Sequence, residues 1–425
     1  MEQNVKNIVK RTAFSEIAKH LDRPEISVII GPRQVGKTTL LGQLKNYLIK
    51  NGCEASHIFS FNLDIITELE LFESQQKFIS FLKERIGKEN IFVFIDEAQK
   101  INNAGVFFKG IYDLGLPVKF ILTGSSALEI RTKIHESLTG RKRLFHLYPF
   151  SFKEYLSAKE SVLGNILDTN ENVSSYSQSR ILENLQDFLK WGGYPKICLE
   201  NNITEKEKEL KEIFASYIEK DIVGFLRIKN RSNFTNLVIL LAAQTGQLLN
   251  IASIAKTLQA SHKTIENYLD ILEKTFIIKR VQPFFKNYRK EVAKMPKIYF
   301  YDNGIRNFAL RAFQDFETRQ DKGAILENFV FTELLKSTDE ELHFWRTKEK
   351  AEVDFVLKAK NGEIIPMEIK ASQLKANEIP RGLKSFIEKY QTVKAFVVNF
   401  GFHGQITWKK TVVNFIHPWE IKKIH

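Results

Sequence analysis

The sequence predicts an α/β protein of several domains, and three observations predict it. Through roughly the first 150 residues, strand-like apolar runs alternate with helical runs, as in a parallel sheet covered on both faces. A mostly helical stretch then leads into two short helices and two strand-like runs. From Gly323 onward the runs follow the order helix, three strands, helix, strand. At 425 residues the chain exceeds one ordinary core, so about two to four domains are expected.

The run Ile26–Ile30 reads as a buried strand, and it ends in Gly31-Pro32-Arg33-Gln34-Val35-Gly36-Lys37-Thr38 before the helical Thr39-Leu40-Leu41-Gly42-Gln43-Leu44. That spacing reads as a phosphate-binding loop. Glycines at both ends let the loop, with Pro32, Arg33, Gln34 and Val35 between them, wrap so that successive N–H groups and the following helix N-terminus face a phosphate. Lys37 would neutralise the phosphate. Thr38, with Thr39 beside it, would complete the site by holding Mg²⁺. ATP and Mg²⁺ are therefore the expected cofactors.

A second apolar run, Ile91–Ile95, ends in Asp96-Glu97, which is the Walker B arrangement. Asp96 would hold Mg²⁺ through water and Thr38, while Glu97 would orient and deprotonate the attacking water. His57–Asp64 reads as a further strand. Val118–Leu122 reads as another and ends in Thr123-Gly124-Ser125-Ser126. Thr123 or Ser125 is the candidate sensor of a γ-phosphate, although either could instead cap the next helix.

These segments resemble a known family. GPRQVGKTTL, FIDEAQ, LTGSSAL and LTGRKRLFHLYPFSFKEYL are similar to bacterial and archaeal AAA-type ATPases that carry a C-terminal DUF4143 region. WGGYPKI at Trp191–Ile197 and KIYFYDNGIRNFAL at Lys297–Leu310 extend the likeness through most of the chain. The resemblance implies that Arg141 supplies an arginine finger, with Arg143 as the alternative. Such a finger often comes from a neighbouring subunit, which would call for a homo-oligomer.

In the middle of the chain, Leu248–Leu258 has apolar residues at helical spacing, breaks at Gln259-Ala260-Ser261, and resumes as His262–Leu272. Phe276–Val281 and Lys297–Tyr301 then read as paired strands, so the whole reads as a winged helix. Residues 248–297 hold ten Lys or Arg against four Asp or Glu. Lys286, Arg289 and Lys290 in the expected wing would track phosphates, making DNA the expected partner. Glu266, Asp270 and Glu273 on the second helix oppose that reading.

At the C-terminus, helical Ala324–Leu335 precedes the strands Leu342–Arg346, Val353–Leu357 and Ile364–Lys370. A helix over Pro380–Lys389 and a strand over Val393–Asn399 follow. This αβββαβ order is that of the PD-(D/E)xK nuclease fold, and Asp354 with Glu368-Ile369-Lys370 is similar to its motif. Asp354 and Glu368, joined by Glu327 from the first helix, would hold metal ions against a scissile phosphate. Lys370, on the same strand face as Glu368, would orient or deprotonate water. A strict two-residue turn at Asn361-Gly362 would set Asp354 and Glu368 on opposite faces, whereas an odd-length loop or a bulge would bring them together.

Composition fits these readings. The hydrophobic share is 43% and the charged share 27%, no apolar run approaches membrane-spanning length, and the start lacks a signal-peptide pattern, which predicts a cytoplasmic protein without membrane contact. Two distant cysteines, Cys53 and Cys198, exclude a disulfide framework and a cysteine zinc site. A net charge of +13 favours a polyanionic partner. The expected domains are an ATPase sheet over 1–155, a helical lid or linker over 156–245, a winged helix over 246–305, and a nuclease-like domain over 306–425. The competing functional class is a nucleotide-gated switch that recruits a protein partner, with its nuclease-like domain inactive.

Overall fold

The computed structural model describes residues 9–87, 90–124, 138–168, 173–216, 231–285, 294–374 and 378–424. It forms two compact units, one of Met1–Phe150 with Lys274–Phe276 and one of Ser151–Glu273 with Ile277–His425. Among the described residues, no helix is long and apolar enough to cross a membrane.

The first unit holds a five-stranded sheet of β1 (Ile26–Ile30), β2 (Ile58–Asn62), β3 (Ile91–Asp96), β4 (Val118–Gly124) and β5 (Lys142–His146). The strand order is β2-β3-β4-β1-β5, and every neighbouring pair is parallel. Central strands of such a sheet are covered on both faces, which is why β1 is buried at every position, Ser27 included, and Ile91–Ile95 of β3 reads as an unbroken apolar run. Helix Lys37–Lys50 buries Leu40, Leu41, Leu44 and Leu48, the i, i+4 row of its sheet-facing side. β5 escapes a reading by hydropathy, because it lies at the sheet edge and buries only Phe145.

In the second unit, Asn250 caps the short helix Ile251–Thr257 by accepting from Ser253 N at 3.0 Å. Ser261 accepts from Thr264 N at 3.1 Å at the start of helix His262–Lys274. Strands β6 (Ile278–Val281) and β7 (Lys297–Phe300) pair antiparallel, Ile278 opposite Phe300. Asp270 and Glu273, acidic on the second helix, are both engaged by Arg280 of β6, at 2.6 and 2.7 Å.

Helix Lys322–Ser337 then precedes β8 (Glu341–Arg346), β9 (Glu352–Lys358) and β10 (Ile364–Lys370). Helix Arg381–Tyr390 leads to β11 (Lys394–Asn399), and a further hairpin, β12 (Gly404–Trp408) and β13 (Thr411–Ile416), ends the sheet. The order is β12-β13-β11-β10-β9-β8. β8, β9 and β10 run antiparallel in turn, while β11 lies parallel to β10 and to β13. One side of the sheet packs Trp345, Val353, Val397 and Val413 against Leu383, Phe386 and Ile387 of the second helix.

The β9–β10 turn settles the parity of the two carboxylates. Ala359 N donates to Glu363 O at 2.9 Å, so the loop is the three residues Lys360, Asn361 and Gly362. Gly362 has φ of 86°, the left-handed conformation such a loop requires. Ile364 therefore pairs with Lys358 and Met367 with Phe355, and the next step of that register sets Glu368 opposite Asp354 on one face.

Candidate functional site

The phosphate-binding loop leaves the carboxyl end of β1. Gly31 lies against the chain after β5, where a Cβ would stand 2.0 Å from Leu147 O. Gln34 and Gly36 adopt φ of 59° and 92°, and these two left-handed steps curl the loop into helix Lys37–Lys50. Val35 is fully buried, and Pro32 is buried with it. Arg11 braces the loop from outside, donating to Val35 O at 2.6 Å and to Tyr148 O at 2.5 Å. Lys37 is buried and turned onto the loop, donating to Gly31 O at 3.1 Å and Pro32 O at 2.7 Å. Arg33 is half-buried, while Thr38 and Thr39 are exposed on the helix's first turn.

Strands β3 and β4 bring the other half. Thr38 Oγ1 donates to Asp96 Oδ2 at 2.5 Å, and Thr123 Oγ1 donates to the other Asp96 oxygen. The same Thr123 hydroxyl accepts from Glu97 N at 3.2 Å. Thr123 thus fixes both acidic residues at once, a bracing role that its sequence position at a strand end does not disclose. Glu97 has φ of 59° and its carboxylate accepts from Gln99 Nε2. Hard oxygen donors at Thr38 and Asp96 beside a cation at Lys37 suit a magnesium-bound triphosphate. Ser125, the other candidate sensor, lies outside the described residues.

Arg141 stands elsewhere. It immediately precedes β5, and its carbonyl accepts from Ile26 N at 2.9 Å, so it lies at the amino end of β1. The loop leaves the opposite end, one five-residue strand away, or about 16 Å. Both ends of its guanidinium are engaged by Asp113, at 2.6 and 3.2 Å. Arg143 pairs with Glu16 at 2.9 Å. Neither arginine serves the nucleotide site of its own sheet in this conformation.

The carboxylates of the C-terminal sheet do gather. Asp354 Oδ2 accepts from Ile369 N at 2.7 Å, and Glu368 Oε1 accepts from Lys370 Nζ at 2.7 Å. Glu327 reaches them from helix Lys322–Ser337 and accepts from Tyr299 Oη at 2.5 Å. Burial and mutual repulsion push the Glu327 carboxyl up to about 7 and the Glu368 carboxyl up to about 8, and burial raises Asp354 as well. Glu368 Oε2 is buried without a hydrogen-bond partner among the described residues.

The arrangement is nevertheless not that of a metal centre. Among the described residues, no three His, Cys, Asp or Glu side chains are placed to hold a metal ion between them. Lys297 of β7 supplies the reason: it is 2% exposed and its ammonium lies 3.2 Å from Glu327 and 2.6 Å from Glu352. Burial alone would lower its pKa, but Glu327, Asp354 and Glu352 together hold it above the ordinary lysine value. Sequence reasoning passed over Lys297, because a lysine opening a strand reads as a solvated edge. The one signal was its place in an otherwise apolar run, Ile298–Tyr301.

Comparison with known proteins divides the chain similarly. Residues 23–156 match an AAA domain, 182–315 match a domain of unknown function, DUF8612, and 322–417 match another, DUF4143. The chain thus carries an AAA domain and a DUF4143 region. It is 28% identical over 338 residues to an uncharacterized protein of Haemophilus influenzae, covering 77% of this chain and 79% of that one. It is also 28% identical over 388 residues to the uncharacterized protein MJ1544 of Methanocaldococcus jannaschii, covering 88% and 81%. Among solved structures, the Aeropyrum pernix ORC1 protein in complex with DNA aligns with 10% identity and a TM-score of 0.31, over 72% of this chain and 93% of that one. AMPPCP-bound DnaA from Aquifex aeolicus aligns with 17% identity and a TM-score of 0.22, over 61% and 85%. With both scores below 0.5, the nucleotide reading rests on the residues of this chain and on the AAA match.

Proposed function

We propose that the protein is a Mg²⁺-dependent ATPase that acts on or near DNA. The observation that carries this reading is the linked set Thr38, Asp96, Thr123 and Glu97 at the carboxyl ends of three neighbouring strands, with Lys37 beside it. Gly31–Thr39 would cradle the phosphates, and Thr38 and Asp96 would hold the Mg²⁺. A bound Mg²⁺ would neutralise charge on the β- and γ-phosphates. Glu97 would take a proton from the attacking water, and Thr123 would hold Glu97 and Asp96 in place. Arg141 would serve a neighbouring copy's site in a homo-oligomer, since its strand end is remote from its own loop.

The DNA-facing part of the proposal is the winged helix built from Ile251–Thr257, His262–Lys274, β6 and β7. Arg280 takes up the charges of Asp270 and Glu273, which lessens their repulsion of a phosphate backbone. The expected wing lysines and arginine, Lys286, Arg289 and Lys290, lie outside the described residues. The C-terminal sheet is read as PD-(D/E)xK-like from its αβββαβ core order and its Asp354, Glu368 and Lys370 set. Its residues as arranged do not fit a metal, so no cleavage step is derived for it.

Duplex DNA added to a steady-state ATPase assay tests the reading. Stimulation of several-fold, weakening as salt rises, is expected. Charge reversal at Lys286, Arg289 and Lys290 should remove it while leaving basal hydrolysis intact. Hydrolysis indifferent to DNA at low salt would instead favour the nucleotide-gated recruiter.

A further inference from the structure

The amino end of the first sheet holds Arg141 more firmly than a partly exposed arginine is ordinarily held. Its backbone closes the turn Leu138–Arg141, donating to Leu138 O at 3.0 Å, and Gly140 takes the left-handed φ of 77° that suits glycine in such a turn. Its carbonyl accepts from Ile26 N of β1 at 2.9 Å, so the residue is fixed on both sides. The side chain is gripped as well. Nε donates to Asp113 Oδ1 at 2.6 Å, Nη2 to Asp113 Oδ2 at 3.2 Å, and Nη1 to Thr139 O at 3.4 Å. Three of the five guanidinium N–H groups are engaged in this way, which leaves one on each terminal nitrogen for an anion. Asp113 is itself anchored: it caps the carboxyl end of helix Ala104–Tyr112, which buries Phe107, Phe108 and Ile111, and its N–H donates to Lys109 O at 3.0 Å. A carboxylate at that end of a helix is disfavoured by the helix dipole, so Asp113 breaks a local rule that its pairing with Arg141 offsets.

We propose that Asp113 is a positioning residue for the arginine finger: it holds Arg141 side-on through Nε and Nη2 and so presents the free terminal N–H groups to the γ-phosphate of a neighbouring copy. This rests on reading Arg141 as that finger. The side chains of Arg141 and Asp113 are 32% and 42% exposed, so an arginine without its carboxylate would sample many rotamers in water. A guanidinium already set in one orientation loses less freedom when it meets the phosphate, and a misplacement of about 1 Å costs on the order of a hundredfold in rate. An exposed pair adds little to folding, so Asp113 acts on turnover and not on stability. The opposite role, in which Asp113 restrains the arginine from its target, predicts a change of opposite sign in the same measurement.

The test is steady-state ATPase kinetics of the full-length protein, with its oligomeric state and thermal melts measured alongside. The proteins compared are wild type, Asp113→Asn, Asp113→Glu, Arg141→Ala and the double variant Asp113→Asn/Arg141→Ala. Asp113→Asn should lower kcat about tenfold, with the KM for Mg²⁺-ATP changed less than about twofold and the melting temperature within about 2 °C of wild type. Asp113→Glu, which keeps the carboxylate, should recover part of that loss. In the Arg141→Ala background the Asp113→Asn change should add no further loss, because both act through one guanidinium. Mixed with Glu97→Gln protein, Asp113→Asn should regain hydrolysis as a finger defect does. A kcat for Asp113→Asn equal to or above wild type while Arg141→Ala is impaired, or a further loss in the double variant, would overturn the positioning role and leave the finger reading standing. If the protein forms no oligomer, or Arg141→Ala hydrolyses ATP at the wild-type rate, the finger reading and the positioning role both fall.

Discussion

Arg141 holds Asp113 through two hydrogen bonds, of 2.6 and 3.2 Å, at the amino end of β1, while the phosphate-binding loop leaves the carboxyl end. As the proposed finger, Arg141 would reach a γ-phosphate only in another copy. Mixing Arg141→Ala with Glu97→Gln protein should therefore restore part of the hydrolysis that each lacks alone, because a mixed interface pairs an intact finger with an intact base. An absence of rescue in oligomers shown to be mixed would remove Arg141 from the reaction.

Thr123 bridges Asp96 and Glu97 through one hydroxyl. Thr123→Val keeps the shape and deletes the bridge. A fall in kcat of about 10–100-fold, with ATP affinity changed less than about threefold, is expected in steady-state kinetics. A weakened affinity with unchanged kcat would make Thr123 a nucleotide contact and not a brace.

Much of the nucleotide site was legible because its chemistry is local: a loop, a strand end and their acidic pair are each contiguous in sequence. The braces were not, since Arg11 and the bridging role of Thr123 gain meaning only when remote chain segments meet. The C-terminal site shows the same division. Asp354, Glu327, Glu368 and Lys370 could be named from motif and element order. Whether Asp354 and Glu368 share a face turned on one residue of loop length, and Asn361-Gly362 suits a two-residue turn as readily as the three-residue loop that forms. Lys297 was illegible because Glu327 and Glu352, the partners that make its burial tolerable, lie far along the chain.

His20 gives the ATPase unit a defined acid sensitivity. Its ring contacts Ser27 Oγ at 2.8 Å and Lys119 Nζ at 3.2 Å, and Glu25 lies 3.7 Å away. Burial, with the charges of Lys119, Arg143 and Arg23 outweighing Glu25, lowers its pKa to about 4. Because the folded value lies below the unfolded one, the unfolded chain takes up the proton first as pH falls. The stability is therefore complete above about 6.5 and is lost toward 4. Urea unfolding of wild type and His20→Gln at pH 7 and 4.5 should show a loss of about 1–2 kcal/mol specific to the histidine. Parallel pH profiles would contradict the assignment.

Gly382 lies at the start of helix Arg381–Tyr390, where a Cβ would stand 1.9 Å from Glu352 O. That neighbour is backbone in β9 and cannot swing away. Gly382→Ala should cost about 2–4 kcal/mol in chemical denaturation of the C-terminal region, without altering ATP binding. A loss below about 0.5 kcal/mol would mean that the helix shifts freely over the sheet.

The central claim is that Lys37, Asp96 and Glu97 form one ATP-hydrolysing site, and paired measurement of ATP binding and hydrolysis tests it most directly. Lys37→Ala should lose tight Mg²⁺-ATP binding, because the charge facing the phosphates is gone. Glu97→Gln should bind Mg²⁺-ATP as wild type does yet hydrolyse it at least about a hundredfold more slowly. Wild-type hydrolysis by Glu97→Gln, or unchanged ATP affinity in Lys37→Ala, would contradict the account.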